Sequence, residues 1–332
     1  MTNLFNADLI TKTKAATSAH IIQPVQIGQT TRHNELVFFV KPELLSIAED
    51  DKILNSLKLI EDKFAEYHVE VNGMVIVPGQ VLADHQIMNR HYGFINQLSR
   101  KASEIVTDET REEMFKILGM QADREHIILG GHEFQQLYQI DVEALNDIWF
   151  GQGAHKLRSG FYFIQHIHQG DPVLLVNGFH PSQLLHYTRP DHRILLMLIH
   201  TDTDWHDLKF DLVGDTFPER AKSDSIRGQL FADPARYGQD EVTINTNGVH
   251  LSAGPFEAAF EVVNFFGDIL SHDAHAQPPL TIQRAIDDGI DPSVAMSFLD
   301  NPALGESDLF SETENLNTHT AIQVAKEKLL QQ

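Results

Sequence analysis

A continuous apolar run, residues 36–40, is the sequence feature that most constrains what this chain can fold into. The run consists of β-branched, aromatic and leucine residues without polar alternation, which is typical of a strand buried on both faces of a sheet. Pro42 cannot donate a backbone hydrogen bond, so the strand is expected to end before it, with Lys41 at its carboxyl end. The run therefore predicts a central strand that carries a cation where it leaves the sheet.

The other hydrophobic patterns switch between the helical and the strand period. Ile53, Leu57, Ile60 and Phe64 repeat at helical spacing and predict an amphipathic helix over residues 50–67. Further helices are predicted over residues 80–98, 111–118, 142–150, 161–168, 255–266, 279–288, 292–299 and 320–330, and further strands over 69–77, 173–176, 194–199 and 242–244. This order predicts an α/β chain, in the form of an α+β sandwich with helices packed on a mostly antiparallel sheet. Neither a GxGxxG loop nor a Walker A loop occurs, which disfavours a Rossmann unit or a P-loop.

Composition narrows the possible partners. The formal net charge of -22 argues against binding to nucleic acid or to an anionic membrane, but a small anionic substrate needs only a few local cations. The chain has 0 cysteines, which excludes disulfides, thiolate zinc sites and cysteine nucleophiles. No run of apolar residues approaches the length of a membrane span, and the first residues do not resemble a signal peptide. We therefore expect a cytoplasmic protein of 332 residues, long enough for two domains or for one domain with large additions.

His250 differs from the other histidines through its neighbours. It lies in a short polar stretch before a predicted helix, with Asn247 behind it, Ser252 ahead of it and Glu261 further along that helix. Arg227 precedes the group in the chain. A histidine with a positioning amide, a hydroxyl, a carboxylate and an arginine nearby has the groups needed to attack a phosphoryl group.

The helix that follows His250 has a mixed pattern. Phe256, Phe260 and Val263 are spaced four and three residues apart, which predicts that they form its buried face. Glu257 and Glu261 are then expected on the opposite face. A carboxylate there either faces solvent or serves the histidine.

Several motifs occur in the order found in nucleoside diphosphate kinases, and the chain resembles that family. The matching motifs are Lys41-Pro42-Glu43, His91-Tyr92, Phe161-Tyr162 with Gly170-Asp171-Pro172-Val173-Leu174, Gly214-Asp215-Thr216-Phe217-Pro218, Ser225-Ile226-Arg227-Gly228, Asn247-Gly248-Val249-His250-Leu251-Ser252 and Glu261-Val262. Most of these motifs have little specificity alone, whereas their common order is specific. The matching regions are residues 34–98, 157–180 and 210–270, under half of the chain.

The resemblance implies a ferredoxin-like antiparallel sheet with helices packed on it. It divides the chain into an N-terminal extension, a kinase-like domain and a C-terminal helical extension. These segments are residues 1–33, 34–270 with insertions at about 100–159 and 180–209, and 271–332. The resemblance also implies a homo-oligomer, with a dimer as the basic form.

The function implied by the resemblance is transfer of a γ-phosphoryl group from a nucleoside triphosphate to a nucleoside diphosphate through a phosphohistidine on His250. Mg²⁺ accompanies the nucleotide in this reaction, and no further metal site is expected. Glu261 is implied to accept a hydrogen bond from the ring nitrogen of His250 that does not carry the phosphoryl group, and Ser252 is implied to support that bond. Lys41 and Arg227 are implied to neutralise phosphate oxygens, and the hydroxyl of Tyr92 to contact the phosphoryl group. Phe161 is implied to stack on the base, and Thr216 and Asn247 to contact phosphate and ribose hydroxyls. Phe161 is equally well explained as a core residue, and Ser252 as a helix N-cap.

Two departures from the family keep other functions open. Leu251 stands where the family has glycine beside the histidine, and Phe210 stands where it has a second phosphate-binding arginine. Lys209 and Arg189 are the candidate replacements. The alternative is a nucleotide-binding or interaction protein of the same fold that has lost efficient transfer.

A third hypothesis is a histidine-rich metal protein. Its candidate ligands are His166, His168, His180, His186, His192, His200 and His206. On a predicted helix, His166 and His168 would point to different sides, because neighbours on a helix face lie three or four residues apart. That geometry disfavours the metal hypothesis.

Overall fold

A computed structural model describes residues 5–123, 125–270, 277–304 and 307–329 of the chain. The strands in chain order are β1 (His20–Gln23), β2 (Asn34–Val40), β3 (Glu70–Pro78), β4 (Ile127–Gly130), β5 (His155–Arg158), β6 (Phe161–His168), β7 (Asp171–Val176), β8 (Arg193–Thr201), β9 (Val249–Leu251), β10 (Ala303–Leu304) and β11 (Ser307–Asp308). The helices are α1 (Ala7–Ala15), α2 (Pro42–Leu45), α3 (Asp50–Glu66), α4 (Gly79–Asp84), α5 (Ile87–His91), α6 (Gly93–Ile105), α7 (Asp108–Leu118), α8 (Gly131–Tyr138), α9 (Val142–Phe150), α10 (His180–Thr188), α11 (Trp205–Asp207), α12 (Ile226–Ala232), α13 (Pro255–Phe266), α14 (Leu280–Asp287), α15 (Pro292–Ser297), α16 (Leu309–Thr313) and α17 (Thr318–Leu329). The chain divides into a first unit, residues 1–85 and 188–332, and a second unit, residues 86–187.

The first unit is built on a five-stranded sheet with the order β1-β3-β8-β2-β9, in which every neighbouring pair is antiparallel. In the chain, β2, α3 and β3 come first, and β8, α12 and β9 follow, so a strand–helix–strand sequence occurs twice. Helices packed on an antiparallel sheet are what the sequence predicts, and this part of the fold prediction is confirmed.

Strand β2, an interior strand between β8 and β9, is buried along its whole length because helices cover both faces of the sheet. Leu36, Phe38 and Val40 join a core with residues of α1 and α3 on one face. Phe39 points to the other face, where its ring centroid lies 5.3 Å from that of Phe265 in α13. Alternate side chains therefore face opposite layers, which explains the continuous apolar run in the sequence.

The buried face of α13 differs from the prediction. Glu261 is fully buried, whereas Val263 is 44% exposed. The helix packs on two sides, because it covers β2 while Phe256 and Ala259 join a core formed with the C-terminal helices. Glu261 faces the sheet, where His250 and Ser252 supply hydrogen-bond donors for its carboxylate.

Three further predictions for the first unit need correction. Residues 1–33 show little periodicity but contain α1 and the edge strand β1, which pairs with β3. Residues 180–209 were assigned to an insertion, yet β8 lies between β3 and β2 in the sheet. No strand forms over residues 242–244, because the Thr243 hydroxyl accepts hydrogen bonds from the backbone of Asn245 and Thr246 and closes a local turn.

The C-terminal helices are joined to the sheet by Glu35 of β2. One carboxylate oxygen accepts a hydrogen bond from the backbone of Leu280, at 2.8 Å. The other oxygen lies 2.7 Å from the backbone nitrogen of Gly28 and 2.9 Å from Nε2 of His200. Helices α14, α15 and α17 confirm the helical patterns predicted for the end of the chain.

The second unit contains a four-stranded sheet with the order β4-β7-β6-β5, in which only the β4–β7 pair is parallel. The helix predicted over residues 161–168 is wrong, since these residues form β6. Gly160, at φ 71°, turns the chain from β5 into β6. Phe161 and Phe163 then share one face, as the strand period requires, and pack with Leu174.

The second unit also changes the predicted domain limits. It spans residues 86–187, whereas the sequence suggested a shorter insertion at about 100–159. The motifs around Phe161 and Pro172 lie in β6 and β7 of its own sheet and not in the sheet that carries β2. Within the described parts of both units, no helix is long and apolar enough to cross a membrane.

Candidate functional site

His250 lies in β9, the short edge strand that pairs with β2. Its imidazole stacks on the Phe39 ring, with centroids 4.4 Å apart and an interplanar angle of 15°. The Nε2 atom lies 2.8 Å from a carboxylate oxygen of Glu261, and the side chain is 20% exposed. The ring is thus held from one face and from one edge, while part of it reaches the surface.

Glu261 is the fully buried partner in this pair. Its second oxygen accepts a hydrogen bond from the hydroxyl of Ser252. The Ser252 hydroxyl also accepts a bond of 2.9 Å from the backbone of Val37, so the serine is fixed by β2. An ionised carboxylate only accepts, so with Glu261 ionised the Nε2 atom of His250 donates the proton and the lone pair of the ring lies on Nδ1.

Lys41 and Asn247 form the second part of the site. The Lys41 ammonium donates a 2.6 Å hydrogen bond to Oδ1 of Asn247, and Nδ2 of Asn247 donates to the carbonyl of Thr216 at 3.2 Å. Burial lowers the pKa of Lys41 to about 8; Glu43 opposes this shift and Arg227 adds to it. Lys41 therefore loses its charge at a lower pH than an ordinary lysine, as pH rises through about 8.

Arg227, near the start of α12, is also buried. Its guanidinium donates to the carbonyl of Gly214 at 3.0 Å and to that of Val249 at 2.9 Å. These two bonds connect the turn that contains Thr216 with the strand that contains His250. The structure therefore brings six of the predicted residues together in the first unit. They are Lys41, Arg227, Asn247, His250, Ser252 and Glu261, with Thr216 joined to them through its carbonyl.

Tyr92 and Phe161 lie in the second unit. The Tyr92 ring lies 5.6 Å from that of His180 and 6.1 Å from that of Tyr187. Phe161 is only 1% exposed and belongs to the core beneath its sheet. A ring buried in this way has no face left for a nucleobase, so the core interpretation replaces the stacking role.

Two residues of the site were not predicted. Phe39 stacks on His250, and Glu43 accepts a 2.8 Å hydrogen bond from the backbone of Gly248. The backbone nitrogen of Lys41 donates to the Gly248 carbonyl at 2.9 Å, so both bonds hold the loop before His250 against the end of β2. The Lys-Pro-Glu triplet offered a signal for Glu43, whereas Phe39 required knowledge of the strand register.

Leu251 and His250 face opposite sides of the sheet, because side chains alternate along β9. Leu251 pairs with Phe38 and packs against the core on the α3 side of the sheet. His250 pairs with Phe39 and faces α13. The leucine therefore does not crowd the imidazole.

The candidate replacements for the missing arginine are engaged elsewhere. Lys209 forms an ion pair with Glu314, and Arg189 forms one with Asp191. The Phe210 ring packs 4.7 Å from that of His206. Neither Lys209 nor Arg189 is therefore an uncommitted cation.

Glu257 lies one helical turn before Glu261 in α13. Burial raises the pKa of Glu257 to about 8, with further upward contributions from Glu261 and Glu314 and a downward one from Lys209. Burial therefore favours the neutral form of Glu257, which reduces the negative charge beside the His250–Glu261 pair.

The histidines of the metal hypothesis are divided between the units. His166, His168, His180 and His186 belong to the second unit, and His192, His200 and His206 belong to the first. Because β6 is a strand, His166 and His168 share one face, with ring centroids 5.7 Å apart. His200 is bound to Glu35. The predicted set is therefore not a single cluster.

Comparison with known proteins gives little help. No protein-family model matches the chain, and no curated protein matches it. The chain is similar to a solved structure described as an NDP kinase from Pyrobaculum aerophilum, with 16% sequence identity and a TM-score of 0.35, over 72% of this chain and 99% of that one. A TM-score of that size does not define a shared fold.

Proposed function

We propose that the chain transfers a γ-phosphoryl group from a nucleoside triphosphate to a nucleoside diphosphate through a phosphohistidine on His250. The observation that carries this proposal is the bond from Nε2 to the buried carboxylate of Glu261. The lone pair on Nδ1 attacks the γ-phosphorus, and the bond from phosphorus to the β-phosphate oxygen breaks, with its electron pair leaving on the nucleoside diphosphate. A second diphosphate then reverses the step and regenerates the imidazole.

Lys41 and Arg227 supply the positive charge for this chemistry. Both are buried beside the loop that precedes His250, where a cation interacts strongly with phosphate oxygens. Mg²⁺ belongs to the substrate in this proposal, because it enters on the nucleotide phosphates. Asn247 and Thr216 are the polar residues proposed to contact phosphate and ribose hydroxyls.

The strand order of the first unit supports a ferredoxin-like fold, which is part of the same proposal. Without the edge strand β1, the sheet order is β3-β8-β2-β9, and the chain order is strand–helix–strand, then strand–helix–strand. That order supports our proposal of the split strand–helix–strand motif found in ferredoxin-like domains. It places the carboxyl end of β2, with Lys41, next to β9.

Labelling with γ-³²P-ATP and Mg²⁺ tests the proposal. The expected result is a base-stable, acid-labile label on His250, which is removed by addition of GDP and absent from His250→Ala. His206→Ala is the matched control, because His206 is a largely exposed histidine of the same unit. Absence of label on the folded wild-type protein rules the proposed transfer out.

A nucleotide-binding protein without transfer is the second candidate. It is favoured by the internal hydrogen bonds of Lys41 and Arg227 and by the ion pair between Lys209 and Glu314. Saturable binding of nucleotide by calorimetry, together with no phosphohistidine, would select this candidate. The expected homo-oligomer remains a prediction, which light scattering on the purified protein tests.

A further inference from the structure

The Phe39 ring contacts the imidazole of His250. Phe39 is fully buried in β2, and its ring also contacts Phe265 of α13. The stack on His250 is nearly parallel, at 15°, whereas the contact with Phe265 is tilted by 49°. The Phe39 ring is therefore packed against α13 and presents an aromatic face to the histidine.

We propose that Phe39 is a positioning residue that fixes the plane of the His250 ring and stabilises its phosphorylated form. The hydrogen bond to Glu261 holds one ring atom, Nε2, and does not by itself fix the plane of the ring. The stacked aromatic ring constrains that plane. Both contacts therefore act on the direction in which Nδ1 points.

The stack also matters for charge, and this step rests on the proposed function. When Nδ1 donates its lone pair to phosphorus and Nε2 keeps its proton, the imidazole becomes a cationic ring. A cationic ring is attracted to the face of an aromatic ring, by an amount that corresponds to about a 3- to 30-fold change in an equilibrium constant. Phe39 therefore favours the phosphorylated enzyme over the free one.

Adjacent residues of β2 provide a matched pair of variants. Phe39→Leu removes the stack but keeps an apolar side chain on the α13 face. Phe38→Leu is the control, because Phe38 is equally buried in the same strand but packs edge-on against Phe64 on the opposite face. The two variants should lose similar stability, so any difference at His250 is due to the stack.

Two measurements on the chain of 332 residues separate this proposal from the proposed function. Ring ¹⁵N chemical shifts of His250 report the population of the Nε2-protonated tautomer without any substrate. We expect this population to fall in Phe39→Leu and to remain unchanged in Phe38→Leu. Equal spectra for the two variants would overturn the positioning role, whether or not the chain is a kinase.

The second measurement follows phosphohistidine prepared with phosphoramidate, a small donor that needs no nucleotide site. We expect phosphohistidine in Phe39→Leu to hydrolyse about 3- to 30-fold faster than in Phe38→Leu. With ATP as donor, kcat should fall about tenfold and KM should change little, because nucleotide contacts are untouched. Equal hydrolysis rates in the two variants would refute the proposed stabilisation. If phosphohistidine hydrolyses faster in Phe39→Leu than in Phe38→Leu as expected, but ATP does not label the wild-type protein, only the kinase function is refuted.

Discussion

At the scale of single residues, Lys41 is a buried cation of the site whose charge depends on pH. Burial lowers its pKa from 10.5 to about 8. As pH rises through about 8, the ammonium loses its proton and with it the attraction for phosphate. We therefore expect KM for the nucleotide to rise between pH 7 and pH 9. Steady-state kinetics across this range measures the change.

Lys41→Arg is the informative control for the pH profile, since a guanidinium stays charged over the whole range. KM in this variant should not rise with pH, even if KM at pH 7 is higher than in the wild-type protein. The stability of the wild-type protein should depend on pH in the opposite way to nucleotide binding, because it should increase as pH rises. Between about 8 and 10.5 the unfolded chain binds a proton that the native chain lacks, so stability increases with pH. A wild-type KM that is constant from pH 7 to pH 9 contradicts the assignment of Lys41 to phosphate binding.

The polar residues of the site were easier to predict than the aromatic ones. Asn247, Ser252 and Glu261 lie close to His250 in the chain, so local spacing identified them. Phe39 is separated from His250 by more than two hundred residues, and only the register of β2 against β9 brings their rings together. Contacts between strands depend on register, which a single sequence does not specify.

At the scale of elements, the turn over residues 214–220 is fixed to the site at two carbonyls. Arg227 binds the carbonyl of Gly214, and Asn247 binds that of Thr216. Further along the turn, the guanidinium of Arg220 lies 4.4 Å from the centroid of the Phe217 ring. Within the described part of the chain, Arg220 has no carboxylate partner. This arginine is therefore an exposed cation on an anchored turn.

Arg220→Met should weaken nucleotide binding. The substitution keeps an apolar side chain over Phe217 but removes the charge, so we expect KM for ATP to rise about 5- to 10-fold with a smaller change in kcat. Arg236→Met is the control, because Arg236 is likewise exposed and lies over an aromatic ring, that of Tyr237. Similar KM values for the two variants would exclude Arg220 from the nucleotide site.

The loop before His250 depends on Gly248, whose backbone has φ 81°. An added Cβ would lie 2.4 Å from Cδ1 of Leu230 and 2.8 Å from Cδ1 of Leu44. Gly248→Ala should therefore lower the free energy of unfolding by about 3 kcal/mol, from strain and from repacking of the leucines. Urea denaturation measures the loss.

Gly289→Ala separates the two contributions. Gly289 also has a positive φ, of 89°, but an added Cβ would meet nothing within 4 Å. Its substitution should cost only about 1 kcal/mol, the strain alone. If both variants lose the same stability, the leucines adapt freely and the loop is less constrained than the contacts indicate.

Elements were predicted well where one period dominates and poorly where a segment has two environments. The patterns over α3, α7 and α9 gave the correct helices because each has one apolar face. The segment that forms β6 mixes aromatic and histidine residues, so the sequence does not show which side chains alternate between core and surface. The burial of Phe161 and Phe163 shows this alternation. The prediction of the buried face of α13 was wrong for the second reason, because this helix packs on two sides.

At the scale of the whole molecule, the sequence did not reveal that residues 86–187 form a unit with its own sheet and two apolar cores. The insertion interrupts the connection between β3 and β8. These strands are neighbours in the first unit, with Pro78 paired to Arg193. Because the chain leaves the first unit after β3 and returns to it before β8, residues 86–187 can be removed without removing a strand of the first-unit sheet.

This arrangement predicts that the first unit folds without the second. Replacement of residues 86–187 by a short Gly-Ser linker should leave a protein that unfolds cooperatively, because the core around β2, α1 and α3 consists of first-unit residues. Phosphoramidate should still phosphorylate its His250, since Phe39, Glu261 and Ser252 remain. If labelling by ATP is lost at the same time, the second unit, which carries Tyr92, is required for use of the nucleotide. Non-cooperative unfolding of the shortened chain would show that the two units are not independent, and residues 86–187 expressed alone provide the reciprocal control.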